Sequence, residues 1–258
     1  MANVRYLRYK KDGAAAYGLL TDEDTVWEIR GDIFAEHEPG REFGLDEVTL
    51  LSPVQPGKVV CVGLNYRRHA VEIGLPLPPE PVIFLKPPSA VVGPGEPIVH
   101  PTVSRHLEYE GELAVVIGRR ATGIPPERAG EHIFGYTCAN DVTARDLQHT
   151  DRQWDRAKGF DTFLPLGPWV VTQDLAPWRI RTILNGAVRQ DASSAEMVFS
   201  VAQVVSFISG VMTLYPGDVV LTGTPPGTGP LVDGDRLEVR IEGIGGLLNP
   251  VISQEKRL

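Results

Sequence analysis

Apolar residues along this chain recur mostly with the two-residue period of strands, in short runs separated by Gly, Pro, Asn and Asp. Val4 to Tyr9, Ala14 to Leu20 and Thr25 to Ile29 read as three short strands, parted by Lys11-Asp12-Gly13 and Asp22-Glu23-Asp24. With the polar stretch through Arg41 they predict a small β-rich N-terminal appendage over residues 1–50. A main body over 51–258 then opens at Ser52-Pro53. Further strands are predicted at Lys58 to Val62, Val82 to Leu85, Leu113 to Ile117, Ile133 to Ala139 and Asp218 to Leu221. Arg236 to Glu242 alternates strictly, with Leu237, Val239 and Ile241 inward and charged residues outward, so its charges read as a solvated sheet face. Asn185-Gly186, between Ile180–Leu184 and Val188–Gln190, is the strongest hairpin signal.

Helical signals are few. Gly63 to Gly74 follows a strand and reads as a short helix ended by Gly74, while Pro125 to Glu131 and part of Val142 to Thr150 read as two more. Ser200 and Gln203 form a capping box for a helix with Val201, Val204, Val205, Ile208 and Met212 on one face. That helix is expected to pack on the sheet and carry no chemistry. The balance predicts a mostly β protein with a few helices.

At 258 residues and 42% hydrophobic content the chain can bury a full core. A net charge of -8 argues against a nucleic-acid surface, which would show a basic stripe. Cys61 and Cys138 lie in apolar runs and read as buried thiols, not as a disulfide or metal pair. No apolar run approaches the ~18 residues of a membrane span, and the first residues lack a secretory apolar region. The expectation is a soluble cytoplasmic protein with no membrane or nucleic-acid partner.

Candidate chemistry centres on Tyr109-Glu-Gly-Glu-Leu-Ala-Val-Val-Ile-Gly118. Glu110 and Glu112 share one face of a strand whose continuation is almost wholly apolar, as in a strand covered on both sides. An edge strand with a solvated acidic face is the plainer alternative, but the apolar continuation opposes it. Two adjacent buried carboxylates repel and are expensive to desolvate, and a divalent cation resolves both problems. Asp141, following the apolar run Ile133 to Ala139, supplies a third oxygen ligand. Such hard ligands suit Mg²⁺, Mn²⁺ or Ca²⁺ better than Zn²⁺. His106 and Glu108 would share the face if the strand began earlier, and are rival ligands.

His69 and Glu72, three apart on the short helix, share a face, and a carboxylate beside an imidazole can orient it for proton transfer. The alternative is an exposed helix surface shared with Arg67 and Arg68. The Pro-rich stretch Leu75 to Pro81 suggests a mobile lid. Lys86 and Lys158 are candidates to bind an acidic substrate or an enolate, although spacing alone does not separate them from surface lysines. Gly223-Thr-Pro-Pro-Gly-Thr-Gly229 lacks the terminal Lys-Ser/Thr of a phosphate loop, and its prolines remove amide donors, so it reads as a turn lining a pocket. His37, His100, His132 and His149 show no pairing.

Several segments, in this order, resemble the fumarylacetoacetate hydrolase superfamily from about Lys58 to the C-terminus. They are Gly63-Leu-Asn-Tyr-Arg-Arg-His, Phe84-Leu-Lys-Pro, Glu110-Gly-Glu-Leu-Ala-Val-Val-Ile-Gly, Asn140-Asp-Val-Thr-Ala-Arg-Asp-Leu-Gln148, Lys158-Gly-Phe-Asp and Leu221-Thr-Gly-Thr-Pro. The resemblance implies a mixed β-sandwich roll around a metal site, usually in a homodimer. It implies Glu110, Glu112 and Asp141 as ligands of Mg²⁺, Mn²⁺ or Ca²⁺, and demotes His106 and Glu108. It makes His69 and Glu72 a lid dyad, Lys158 a substrate-facing cation and Thr224 a donor to the substrate carboxylate, with Lys86, Arg145 and Gln148 nearby. Members act on 2-oxo acids or their enols by hydrolysing a carbon–carbon bond, decarboxylating, or isomerising a double bond.

The segment from Asp151 to Trp169 is similar to the branch of 2-hydroxyhepta-2,4-diene-1,7-dioate isomerases and 5-oxopent-3-ene-1,2,5-tricarboxylate decarboxylases. Oxaloacetate decarboxylases and acylpyruvate hydrolases share much of it. A non-catalytic metal-dependent binder of 2-oxo acids is the competing class, and the intact His69–Glu72 pair favours an enzyme.

Overall fold

A run that is apolar at successive residues must be covered on both faces, because its side chains alternate between them. In the computed structural model, which describes residues 4–21, 24–172 and 177–256, the run ending at Ile117 has that position. The chain begins with β1 (Val4–Lys11), β2 (Ala14–Leu20), β3 (Thr25–Gly31), β4 (His37–Gly44) and β5 (Thr49–Leu51). Next come β6 (Val59–Gly63), helix α1 (Arg67–Glu72), β7 (Val82–Lys86), β8 (Val91–Val92) and β9 (Ile98–His100). The middle holds β10 (Leu107–Tyr109), β11 (Gly111–Ile117), β12 (Ile133–Asn140), β13 (Thr143–Ala144), α2 (Arg145–Thr150), α3 (Asp155–Lys158) and β14 (Leu164–Thr172). The last part is β15 (Arg179–Leu184), β16 (Ala187–Ser193), α4 (Val201–Val211), β17 (Val219–Leu221), β18 (Gly229–Leu231), β19 (Arg236–Ile241) and β20 (Gly245–Ser253).

A 12-stranded sheet has the order β4-β3-β2-β1-β14-β12-β11-β17-β6-β7, with β5 on β1 and β8 on β14. A three-stranded sheet, β13-β10-β18, and a five-stranded sheet, β16-β15-β19-β20-β9, complete the described strands. On one face of the large sheet, Leu113, Val115 and Ile117 pack in a cluster with Val60, Val62 and the α4 residues Val204, Val205 and Ile208. On the other face, Ala114 and Val116 join Val59, Cys61, Leu107 and Leu164. The mostly β architecture expected from the sequence is the one observed.

The N-terminal strands continue the large sheet, since β1 pairs antiparallel with β14, Arg5 opposite Val171. They keep a small core of their own, around Leu7, Tyr9, Leu20 and Val26. Of the turn expected at Asp22-Glu23-Asp24, Asp22 and Glu23 lie outside the described residues. β4 arises from the polar stretch, where no alternation announced a strand. As an edge strand with mostly exposed or half-buried residues it buries no clean apolar face.

Local expectations fare well where the signal is chemical. Asn185 and Gly186 both have positive φ, 52° and 82°, as a two-residue hairpin turn requires. The capping box of α4 forms, Gln203 N–H donating to Ser200 Oγ at 3.3 Å and Ser200 N–H to Gln203 Oε1 at 2.9 Å. Cys61 and Cys138 are free and buried. The helix expected over Pro125 to Glu131 is a 3₁₀ helix, Pro126–His132. Among the described residues no helix is long and apolar enough to cross a membrane.

Candidate metal and active site

The acidic run is not one strand. The chain leaves the three-stranded sheet after Tyr109 and enters the large sheet at Gly111, so Glu110 stands at the junction and Glu112 on β11. Opposite Gly111 in the register is Asn140, the last residue of β12. Glu110 N–H donates to Asn140 Oδ1 at 2.9 Å, and Asp141 N–H donates to the Glu110 carbonyl at 2.8 Å. These bonds hold Asp141 beside Glu110, so that one carboxylate oxygen from each of Glu110, Glu112 and Asp141 falls within 4.8 Å of the others. All three side chains are buried.

Two lysines offset that charge. Lys158, ending α3, spans Glu110 Oε2 at 2.8 Å and Asp141 Oδ2 at 2.7 Å. Lys86, ending β7, donates to Asp141 Oδ1 at 2.6 Å and to the Val142 carbonyl at 3.0 Å. Arg145, opening α2, bridges Glu110 Oε1 at 2.6 Å and Glu108 Oε2 at 2.8 Å and also donates to Gln148. Glu108 is thus an anchor for Arg145, with His106 on its other oxygen at 3.0 Å. Both stand outside the three-carboxylate cluster. Among the described residues Glu112 accepts only the Gly223 N–H, at 2.7 Å.

The electrostatics divide the groups accordingly. Burial raises the carboxyl pKa of Glu110, but Lys158 and Arg145 outweigh it and hold the group well below the usual carboxylate range. Burial drives Glu112 far above that range, and the neighbouring Asp141 and Glu110 charges push the same way. Burial opposes the Lys158 ammonium, yet Asp141 and Glu110 prevail and its pKa is raised. At Lys86 burial prevails over Asp141, and the pKa is lowered. Glu112 is therefore a buried carboxyl without a cation, beside two further oxygen ligands. The donor set fits a hard divalent cation, which would complete Glu112.

His69 is buried although its helix is short, and its Nδ1 lies 3.1 Å from Glu72 Oε2. Glu72 also accepts the Gly227 N–H, at 3.0 and 3.2 Å to its two oxygens, which ties α1 to the 223–229 turn. If Nδ1 donates to Glu72, the Nε2 lone pair is left as a base. His69, the three carboxylates, Arg145, Gln148, Lys158 and Thr224 line one cavity of about 290 Å³. Lys86 lies behind Asp141 and is not on its wall. The expected turn does line the pocket, through Thr224, whose hydroxyl donates to the Gly111 carbonyl at 3.0 Å and accepts from Gln190 Nε2 at 2.8 Å.

Several wall residues had no sequence signal. His149 had no pairing, and Leu64, Ile73, Leu75, Phe84 and Trp154 form an apolar rim to the same cavity. Phe84 and Trp154 meet edge to face, with ring centroids 5.2 Å apart. Leu64 carries a φ of 59°, a strained value for a side chain of its kind, and it does so at the cavity wall.

Residues 58–252 match the family model described as fumarylacetoacetate (FAA) hydrolase C-terminal, and residues 4–53 match one described as Rv2993c-like, N-terminal. Among curated proteins, Protein Rv2993c of Mycobacterium tuberculosis is 50% identical over 222 residues, 84% of this chain and 83% of that protein. A mitochondrial oxaloacetate tautomerase of Bos taurus is 44% identical over 220 residues, 80% of this chain and 70% of that protein. Among solved structures, a 5-carboxymethyl-2-hydroxymuconate delta-isomerase from Mycobacterium smegmatis superposes with a TM-score of 0.91 at 43% identity, covering 97% of this chain and 100% of that one. A 2-hydroxyhepta-2,4-diene-1,7-dioate isomerase from Mycobacterium marinum gives 0.91 at 44% identity, covering 97% and 99%. The chain belongs to the fumarylacetoacetate hydrolase family, and is an enzyme of that family.

Proposed function

We propose that this member of the family is a divalent-metal-dependent enzyme acting on small 2-oxo or 2-hydroxy-enol dicarboxylates, and that it is an isomerase or decarboxylase of the kind used in aromatic catabolism. The observation that carries the proposal is the meeting, across one cavity, of three buried carboxylates with His69, whose ring is paired with Glu72. Mg²⁺ or Mn²⁺ held by Glu110, Glu112 and Asp141 would supply Lewis acidity, drawing electrons toward the 2-oxo oxygen and stabilising the enolate that forms when a bond at C3 breaks.

The rest falls to the chain itself. Lys158, with Arg145 and Gln148, draws the substrate's anionic oxygens toward the cluster, and Lys86 steadies Asp141 from behind. Thr224 contacts the ligand from the 223–229 turn, beside Gly111. His69, oriented by Glu72, takes or returns the proton at the carbon end of the substrate, and the apolar rim excludes water from that transfer. Two of the similar structures are called isomerases and one relative a tautomerase, names that share proton transfer through an enol. The tautomerase relative favours a second reading, with oxaloacetate as substrate, in which the same groups decarboxylate or tautomerise it.

The decisive assay sets the purified protein, with Mg²⁺ and after exhaustive chelation, against 2-hydroxyhepta-2,4-diene-1,7-dioate and oxaloacetate. Turnover is expected only with metal. His69→Ala should lower kcat by about 10²- to 10⁴-fold, the usual worth of a positioned acid–base group, while calorimetric affinity for oxalate holds. Full turnover without metal, or an unchanged kcat in the alanine variant, would overturn the proposal.

A further inference from the structure

Asn65 is fully buried between β6 and α1 and is not on the cavity wall. Its Oδ1 accepts the Phe199 N–H at 2.7 Å, and its Nδ2 donates to the Phe199 carbonyl at 3.0 Å and to the Thr222 carbonyl at 2.8 Å. Its own carbonyl accepts the Val198 N–H at 2.8 Å, and Tyr66, the next residue, bridges antiparallel to Met197. The side-chain partners are all backbone groups of fixed polarity. Turning the amide over would set its NH₂ against the Phe199 N–H and its oxygen against two carbonyls, so the orientation is forced. The same bonds over-determine the chain at Leu64, just before it, whose φ of 59° is strained.

The Thr222 contact reaches the carboxylate cluster through one peptide unit. The carbonyl that takes the Asn65 proton and the Gly223 N–H belong to the same planar trans peptide, so its two polar ends point opposite ways. One end is held by Asn65, and the other meets Glu112 Oε2 at 2.7 Å, the single hydrogen bond that Glu112 accepts among the described residues. Gly223 has a φ of 95°, and a Cβ there would stand 2.8 Å from Asn65 Cβ, so this close approach needs glycine. The same turn holds the far end of α1, because Glu72 accepts the Gly227 N–H. At its near end α1 has no side-chain cap, so Asn65 and the segment before α4 set where it begins.

We propose that Asn65 is a positioning residue that couples the metal ligand Glu112 to the helix carrying His69. Through the Thr222–Gly223 peptide it aims the Gly223 N–H at one Glu112 oxygen and leaves the other for the cation. Through Phe199 and Val198 it fixes the start of α1, and with it the place from which His69, in the first turn, reaches the cavity. Without the amide, the buried Thr222 carbonyl and the Phe199 peptide groups lose their partners, and both elements are freed to shift. The inference rests on the proposed function for the roles of Glu112 and His69.

The test measures Mg²⁺ affinity by calorimetry without substrate, and kcat at saturating Mg²⁺ with 2-hydroxyhepta-2,4-diene-1,7-dioate or oxaloacetate, whichever wild type turns over. Asn65→Ala should weaken Mg²⁺ binding and lower kcat by about tenfold each, the lower end of what it costs to lose a group that holds a metal ligand in place. In a His69→Ala background the kcat loss should largely vanish while the Mg²⁺ loss persists, because only the first runs through His69. Ser206→Ala, which removes a hydrogen bond from α4 to the Ile124 carbonyl, is the control for stability alone. It should lower Tm with Mg²⁺ affinity and kcat kept. If Asn65→Ala does not fold, Asn65→Asp, equal in shape but with no donor for Thr222, takes its place with the same expectation. Wild-type Mg²⁺ affinity in the folded Asn65 variant overturns the inference. So does a kcat loss that adds in full to that of His69→Ala. Failure of wild type to bind Mg²⁺ or to turn over either substrate would instead overturn the proposed function, and this inference with it.

Discussion

Replacing Glu112 with Gln separates the stability of the site from its use. The variant keeps the shape of the side chain and mimics its protonated form. In wild type without metal, the Glu112 carboxyl has its pKa raised in the folded state by burial and by Asp141 and Glu110. For a raised acid the sign is fixed. Its contribution to stability is whole below the unfolded carboxylate value, near ~4.3 for Glu, and is lost as pH rises toward the folded value. Between the two values each pH unit removes about 1.4 kcal/mol. For a chain of this size that is a fall of roughly 3–6 °C in Tm per unit, taking about 2–4 °C per kcal/mol.

The expected result is therefore paradoxical on its face. Metal-free Glu112→Gln should melt higher than metal-free wild type at neutral pH, and the gap should close as pH falls toward the ordinary carboxylate range. Saturating Mg²⁺ should raise wild-type Tm at neutral pH and leave the variant where it was, because the ligand charge is gone. Differential scanning calorimetry over a pH series, with Mg²⁺ and with chelator, checks all three. A metal-free variant less stable than wild type at neutral pH would refute the reading, for it would mean that the charged carboxylate is welcome where it lies.

Two further outcomes follow from the same contacts. Gly111→Ala should cut Mg²⁺ affinity and activity together and lower Tm, because its Cβ would overlap Thr182 Oγ1 within a buried network; overpacking of that kind is worth about 1–3 kcal/mol, and a variant that melts and turns over like wild type would contradict it. Binding should also be ordered. Lys86, Lys158 and Arg145 are already paired with Asp141, Glu110 and Glu108, so calorimetry should detect oxalate only after Mg²⁺ is added, and comparable affinity in chelator would contradict that pairing.

How much of this was legible in the sequence depends on how far each signal reaches along the chain. The hairpin at Asn185-Gly186, the capping box at Ser200 and Gln203 and the alternation of Arg236 to Ile241 are complete within a few residues, and the structure repeats them. The E-x-E pair and the i, i+3 pair of His69 and Glu72 are local too, and both come together at the cavity. What the local pattern missed depends on distant partners. β4 is a strand because β3 lies beside it, not because its own residues alternate. Glu108 resembles a rival ligand until Arg145, brought in by α2, claims it. His149 joins the wall only because α2 faces the cluster.

The same division runs through the chemistry. The candidate ligands are written locally, because a carboxylate two residues from another on an apolar run is visible wherever the strand lies. Protonation and polarity are not. Glu110 and Glu112 are identical residues beside one cavity, and their pKa values move in opposite directions because Lys158 and Arg145 bond directly to the first alone. Lys86 and Lys158 divide likewise, since Lys158 meets two carboxylates and Lys86 only one. Environments that push like groups apart are how one site holds charged and neutral forms together at a single pH. The partners that do the pushing come from α2, α3, β7 and the 223–229 turn, elements that meet only once the sheets have formed. These surroundings are what leave Glu112, and not Glu110, without a cation bonded to it.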